Sequence, residues 1–344
     1  MNEVDWDSLT FSLTKTDWMY IAKCNLGDAW VPGKIIPYGN FEIDPAAGVL
    51  NYGQGIFEGM KAHRTVNDRV VIFRPEENAK RFQSGADRLG MPPVPESIFL
   101  DAVEQVVSAN KKWIPPSGKG ALYIRPLLLG TGPIMGVAPA PEYTFIVFVT
   151  PVGPYFKGGL SCIKLIITDE YHRAAPGGSG GVKAIGNYAP GMMPSKNAKK
   201  NGFAEVIYLD AEYHKYIEEV GAANFFCIKD DIIYTPELTG TILPGITRDS
   251  IIQLAKYFGF QVIIEKVSAE FALDADEAFC CGTAAVISPI GSITHGQKTK
   301  VFSSGNIGPV TQKLYNSISG IHSELVEDPF GWLHEVDLNL NLQY

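Results

Sequence analysis

Residues 151–159 read PVGPYFKGG, a run of Pro and Gly that suits neither a helix nor a strand interior. The pattern of the chain changes across it. Before it, β-branched and aromatic stretches at 17–24, 70–73, 121–129 and 143–150 predict strands. Two helices interrupt them: one over 75–89, with Pro75 and two acids in its first turn and Gly90 as its stop, and one over 97–113. After the run, strands and helices alternate more evenly. Strands are expected at 161–168, 204–209, 261–267 and 278–287, a hairpin turning at Asp230-Asp231, and helices near 191–201, 246–259 and 308–323. A chain of 344 residues is too long for one simple core. The expected division is therefore 1–150, a linker at 151–160, and 161–344.

Composition narrows the function. A hydrophobic fraction of 46% and a charged fraction of 19% describe an ordinary globular protein. A net charge of −8 argues against a nucleic-acid partner, which needs clustered Lys and Arg. No apolar run approaches the ~20 residues that span a bilayer. The acidic N-terminus lacks the pattern of a signal or transit peptide, so the cytoplasm is the expected compartment. Cys24, Cys162, Cys227, Cys280 and Cys281 fit neither a disulfide framework nor a CxxC motif, and the histidines show no HExxH spacing. No metal site is expected.

Gly53, Gly55 and Gly59 miss the GxGxxG spacing, and the Lys of GGSGGVK has no following Ser or Thr, so neither glycine run is a nucleotide loop. The segment Leu243-Pro244-Gly245-Ile246-Thr247 predicts a helix start, where backbone amides and the helix dipole attract an anion. An ordinarily capped helix reads the same way. Lys183 follows a glycine-rich loop at 177–181. Like any lysine it is a surface charge by default, and chemistry there needs a site that traps its amine. Glu219 lies on the rim of an apolar strand, where a buried carboxylate requires a cationic partner.

Taken in order, VKAIGNYAP (182–190), YIEEVGAANFF (216–226), GTILPGITR (240–248) and CGTAAVISPIGSI (281–293) resemble the class IV, or fold type IV, aminotransferases. LNYGQGIFEGMKAHR (50–64), FRPEENAKRF (73–82) and LYIRPLLLG (122–130) resemble the branched-chain aminotransferases in particular, and the similarity runs from about Phe11 to the last helix. The resemblance implies an α+β, two-domain fold type IV enzyme of pyridoxal 5'-phosphate. Its smaller α/β domain would be N-terminal and its larger domain C-terminal, with the cofactor cleft between them.

By the same resemblance, Lys183 would carry the cofactor and shuttle the proton. Glu219 would face the pyridine nitrogen and Tyr188 the ring hydroxyl, and Leu243 would pack on the ring. Arg81, the amides of Ile246 and Thr247, and Thr283 would hold the phosphate. Phe11, Tyr52, Phe57, Tyr123 and Tyr155 would wall the substrate side chain, Arg125 would meet the distal carboxylate of glutamate, and Thr283 and Ala284 the α-carboxylate. Loop 131–139, with Met135 and Val137, would close the neighbouring subunit's pocket, which implies a homodimer. The expected substrates are L-leucine, L-isoleucine or L-valine with 2-oxoglutarate. Some members carry a CxxC pair just after GTA; here that stretch is Ala285-Val286-Ile287-Ser288, so no redox switch is carried over. D-Amino-acid aminotransferase and aminodeoxychorismate lyase are the rivals within the fold, and a non-catalytic pyridoxal-phosphate carrier is the rival outside enzymes.

Overall fold

The structure, a computed structural model, describes residues 4–156 and 158–340. Lys157, inside the expected linker, lies outside the described residues, as do the first three and last four positions.

The first half of the chain holds β1 (Trp18–Asn25), β2 (Lys34–Pro37), α1 (Gly48–Tyr52), β3 (Gly55–Phe57), β4 (Met60–Arg64) and β5 (Val70–Phe73). Helices α2 (Pro75–Arg88) and α3 (Glu96–Ala109) then precede the long hairpin of β6 (Ala121–Gly130) and β7 (Glu142–Val152). Next come β8 (Ile163–Thr168), α4 (Met192–Lys200), β9 (Glu205–Leu209), β10 (Ile217–Val220), β11 (Ala223–Lys229), β12 (Ile232–Thr235) and α5 (Ile246–Tyr257). The chain finishes with β13 (Val262–Ile264), α6 (Ala269–Leu273), β14 (Glu277–Gly282), β15 (Val286–His295), β16 (Lys298–Val301), α7 (Pro309–His322) and β17 (Leu333–Glu335).

Two compact units result. The first takes residues up to Tyr155, then 182–185, then everything from Gly320 on; the second takes 156–181 and 186–319. The expected boundaries differ from this at two places. Strand β17 pairs with β5, which draws the C-terminus into the first unit. Ala184 bridges Ile56, and the Phe57 N–H donates to the Lys183 carbonyl, which draws in 182–185. The unit built on the N-terminus is therefore the larger one, the reverse of the expected order.

The first unit is an eight-stranded sheet in the order β17-β5-β4-β6-β7-β1-β2, with β3 added to β6. Helices α2 and α3 bury one face of it. Phe82, Phe99 and Phe145 meet there, with centroids 5.2–6.0 Å apart, and anchor a core that includes Ile98, Val103, Val106 and Val107. The second unit has nine strands, of which β10-β9-β8-β15-β14-β11 form a closed ring because β10 also pairs with β11. Closure gives each of these six strands a partner on both sides, and β12, β13 and β16 extend the sheet outside the ring. Leu165, Ile207, Phe225, Cys227, Cys280 and Ile293 fill its core.

Most expected elements form within a few residues of their predicted spans. Asp230 and Asp231, at φ 51° and 60°, make the tight turn between β11 and β12. The stretch 278–287 needs correction. It is not one strand but the hairpin of β14 and β15, turning at 283–285 with Val286 at φ 65°. The helix expected over 97–113 ends at Ala109, and Asn110, fully buried, accepts from the Asp17 and Trp18 amides through its side chain.

Candidate active site

The first unit assembles a basic and aromatic patch around β3. The carbonyl of Lys183 is held by the Phe57 amide at 3.1 Å, so the neighbouring turn of the chain is fixed to that strand. The Lys183 Nζ lies 4.5 Å from the Phe57 ring centroid. The next residue, Glu58, is fully buried and takes the fork of Arg81: Nε donates to Oε1 at 2.7 Å and Nη2 to Oε2 at 2.8 Å. Asn78 adds a third bond at 2.7 Å. Burial pushes the Glu58 carboxyl up, but the charges of Arg81 and Lys183 and the bonds from Arg81 and Asn78 outweigh it, and its pKa falls below the ordinary value. The fork occupies two of the five N–H donors of a guanidinium.

Arg125 projects from β6 into the same region. Its guanidinium sits 4.7 Å from the Phe57 centroid and 5.2 Å from that of Tyr123, and Nη2 donates to the Tyr123 hydroxyl at 3.0 Å. Its Nε is buried and meets no acceptor. Phe11 meets Tyr123 edge-on at 5.1 Å. Gly59 explains its own glycine: a Cβ there would stand 2.0 Å from the Tyr123 hydroxyl oxygen. Phe11, Phe57, Tyr123, Arg125 and Lys183 are thus brought together. Tyr52 instead donates to the Met135 carbonyl, which ties α1 to loop 131–139. Met135 and Val137 on that loop are 84% and 89% exposed, and Tyr155, the last residue before the unit boundary, is 53% exposed.

The second unit carries the other expected residues. Glu219 on β10 is 2% exposed. The Leu243 amide donates to its Oε1 at 2.7 Å, and Arg173 Nε stands 3.2 Å from Oε2. Arg173 also reaches the carbonyls of Gly180 and Thr241, and so cross-links the glycine-rich loop to the segment before α5. A Cβ at Gly180 would stand 2.3 Å from the Thr241 carbonyl oxygen, the reason that loop needs glycine there. Asn224 donates to the Leu243 carbonyl at 3.0 Å. Helix α5 begins after Gly245 with no side-chain cap, and Ile246 and Thr247 are its first residues. Thr283 and Ala284 lie in the β14–β15 turn. Tyr188 follows Asn187, whose side chain exchanges two bonds of 2.7 Å with Ser179.

Glu58 and Arg173 were missed by sequence reasoning. Glu58 lies inside GQGIFEG and carries no local sign that its partner is Arg81, on the next helix. The need of Glu219 for a cation was legible, but Arg173 stands 46 positions away and nothing local names it.

Residues 55–293 match the model of the class IV amino-transferases. The chain is 50% identical over 331 residues, 96% of its length, to branched-chain-amino-acid aminotransferase 3, chloroplastic, of Arabidopsis thaliana, and covers 80% of that protein. It superposes on the branched-chain amino acid aminotransferase of Escherichia coli with a TM-score of 0.82 at 30% identity, over 94% of this chain and 100% of that one. A T.th. branched-chain amino acid aminotransferase complexed with N-(5'-phosphopyridoxyl)-L-glutamate matches with a TM-score of 0.80 at 27% identity, over 94% and 99% of the two chains. The fold and these matches place the chain in aminotransferase class IV and, within it, in the branched-chain aminotransferase family.

Proposed function

We propose that this protein transfers the amino group of L-leucine, L-isoleucine or L-valine to 2-oxoglutarate, giving the branched-chain 2-oxo acid and L-glutamate in a ping-pong reaction on pyridoxal 5'-phosphate. Family membership supports the activity. The observation that carries the substrate class is the setting of Arg125, a guanidinium between two aromatic rings with which no carboxylate pairs among the described residues. Aromatic walls favour an aliphatic side chain, at ~0.8 kcal/mol per buried methylene. A cation among them gives the distal carboxylate of glutamate a partner that it would otherwise lack on leaving water.

The donor set suits a cofactor with a carbonyl at one end and a phosphate at the other. It offers a primary amine at Lys183, a guanidinium at Arg81 and a helix start without a side-chain cap at Ile246 and Thr247. When bound, pyridoxal phosphate supplies an electron sink for the substrate's Cα. Lys183 would hold the cofactor through Nζ and, when released, carry the proton to and from that Cα. Glu219, kept in place by Arg173 and the Leu243 amide, would hold a proton at the pyridine nitrogen. Thr283 would add to the phosphate grip, Tyr188 would bind the ring hydroxyl, and Leu243 would pack on the ring. The amides of Thr283 and Ala284 would bind the α-carboxylate, and Tyr52 and Tyr155 would complete the wall with Phe11.

The exposed Met135 and Val137 support a homodimer in which loop 131–139 serves the neighbouring subunit. Among the described residues no helix is long and apolar enough to cross a membrane. The proposed compartment is the cytoplasm, and imaging of the tagged full-length protein distinguishes it from the chloroplast named for the Arabidopsis relative. The activity is tested by assaying purified protein on L- and D-amino acids with 2-oxoglutarate, beside light scattering for the dimer. Turnover of leucine, isoleucine and valine above methionine and all D-isomers is expected. Preference for a D-amino acid would refute the reading.

A further inference from the structure

Beside Glu219 lies a second buried carboxylate that the proposed chemistry does not use. Strand β10 carries a bulge against β9: Ile217 pairs with Leu209, and Glu219 pairs with the very next partner, Tyr208. Glu218 is the extra residue, and a bulge of this kind re-aims a side chain. It is 5% exposed. The Thr241 hydroxyl bonds to its carboxylate, yet Oε2 is buried and meets no donor. Buried polar atoms without a partner are rare in native proteins and costly.

Glu218 borders a cavity of about 80 Å³ inside the second unit, with Asp210, Tyr216, Pro236, Thr239, Thr241 and Ile242 around it. The wall carries four carboxylates, Asp210, Glu212, Glu218 and Glu237, against one cation, Lys266. Asp210 already takes the amides of Tyr213, Lys215 and Tyr216, and the hydroxyls of Thr239 and Thr241 bond to each other at 2.9 Å. Lys266, also on the wall, stands over the Tyr213 and Tyr216 rings at 5.4 and 5.5 Å and pairs with no carboxylate among the described residues. Burial pushes the Glu218 carboxyl up, the charge of Asp210 adds to this, and Thr241, Arg173 and His172 oppose it without cancelling it. A water molecule would bring donors but no charge.

We propose that this cavity binds a small ammonium group, the ammonium ion or the head of a short primary amine, with one N–H directed at Glu218 Oε2 and the threonine hydroxyls as further acceptors. A divalent metal fits poorly, because among the described residues no three His, Cys, Asp or Glu side chains are grouped to hold one. The volume admits roughly two water-sized groups, and Pro236 and Ile242 give a methyl substituent apolar contact. The inference does not rest on the proposed activity.

The test is calorimetric titration of borohydride-reduced holoenzyme, in which the cofactor carbonyl cannot capture an amine. Methylammonium chloride and ammonium chloride are the ligands, and tetramethylammonium chloride at equal ionic strength is the control. Saturable binding is expected for an N–H-bearing cation and not for tetramethylammonium, and the tighter of the two ligands separates a free ion from an amine head. Glu218→Gln should weaken binding about tenfold or more, the worth of a charge-assisted bond. Thr241→Val, which removes one acceptor and no charge, should weaken it less, and it carries the test if the Gln variant does not fold. Absence of saturation in the unaltered protein, equal binding of tetramethylammonium, or wild-type affinity in the folded variants would overturn the proposal.

Discussion

Glu58 in the first unit and Glu219 in the second are 0% and 2% exposed, and each has an arginine. Their settings differ. Glu58 meets Arg81 through both of its oxygens, with a further bond from Asn78. Glu219 meets Arg173 at 3.2 Å through an Nε that makes no well-directed hydrogen bond, and its other oxygen is fixed by a backbone amide just before α5. Forked pairing immobilises both partners, whereas a charge contact at one oxygen and a backbone amide at the other aim a carboxylate. Burial alone therefore does not mark a reacting group; the geometry of its partners does. On this reading Glu58 keeps Arg81 in place, and Glu219 presents its charge to a ligand.

The largest effect should come from Lys183, whose Nζ lies 4.5 Å from the Phe57 ring centroid and whose charge helps to hold the Glu58 carboxyl down. Lys183→Ala should reduce turnover at least ~10²-fold, the lower range for general acid–base groups, while leaving the Glu58–Arg81 fork and the urea midpoint nearly unchanged. Borohydride reduction followed by peptide mapping should find the cofactor adduct on Lys183. An adduct on any other lysine would break the assignment.

The comparison sharpens when each pair is cut. Arg81→Ala leaves Glu58 charged, buried and without its main partner, which for buried pairs costs about 3–5 kcal/mol. A urea titration should show that loss directly. Glu219→Gln preserves size and removes the charge; it should keep the fold and retain cofactor absorbance, and it should slow each half-reaction. If Glu219→Gln unfolds the protein as readily as Arg81→Ala, the distinction between the two carboxylates fails.

How far the chain could be read in advance follows the same physical line. Signals confined to one element were legible: Pro75 with Glu76 and Glu77 opening α2, Asp230-Asp231 turning a hairpin, and Gly259, at φ 82°, closing the end of α5. Signals that depend on distant partners were not. Nothing near Ala184 predicts that it bridges Ile56, and nothing near Leu333 predicts pairing with Phe73, so the division into units was misplaced at 182–185 and after Gly320. The bulge that exposes Glu218 to its cavity is likewise a property of strand pairing, invisible in the letters IEEV. The motifs supplied the proposed residue set, and the three-dimensional pairing supplied the partners Glu58 and Arg173.

A smaller effect concerns the aromatic-caged cation of the first unit. Arg125→Ala should weaken the reaction with glutamate or 2-oxoglutarate more than the reaction with leucine, because only the former brings a second carboxylate. A charge-assisted contact is worth ~1.5–3 kcal/mol, or roughly ten- to a hundred-and-fifty-fold. Single-turnover rates for each amino acid, read beside a thermal melt, check this. Equal losses for both substrates together with a lowered melting temperature would make Arg125 a packing residue only.

The smallest expected effect is on acid stability, and it also separates the two units. His63 stacks on His322 at 5.2 Å, and the Phe73 ring meets His322 edge-on. Burial pushes His322 down to about 3, with the charge of Lys61 adding to this. Burial lowers His63 as well, helped by the charges of His322 and Lys61. Both histidines are therefore depressed in the folded state below their ordinary 6.5. The unfolded chain takes up protons first, so their contribution is present above pH 6.5 and is lost as pH falls towards 3. Glu58, depressed below its ordinary 4.5, adds a second loss only below that pH. All three groups belong to the first unit, and so do all five tryptophans, at 6, 18, 30, 113 and 332. Tryptophan emission therefore reports that unit, and its urea midpoint should decline between pH 6.5 and 4.5 and more steeply beneath. His322→Phe should flatten the upper part of the curve and Glu58→Gln the lower part. If each variant keeps the wild-type slope in its own window, the acid loss arises elsewhere, and the contrast between a locked first-unit carboxylate and an aimed second-unit one loses its pH signature.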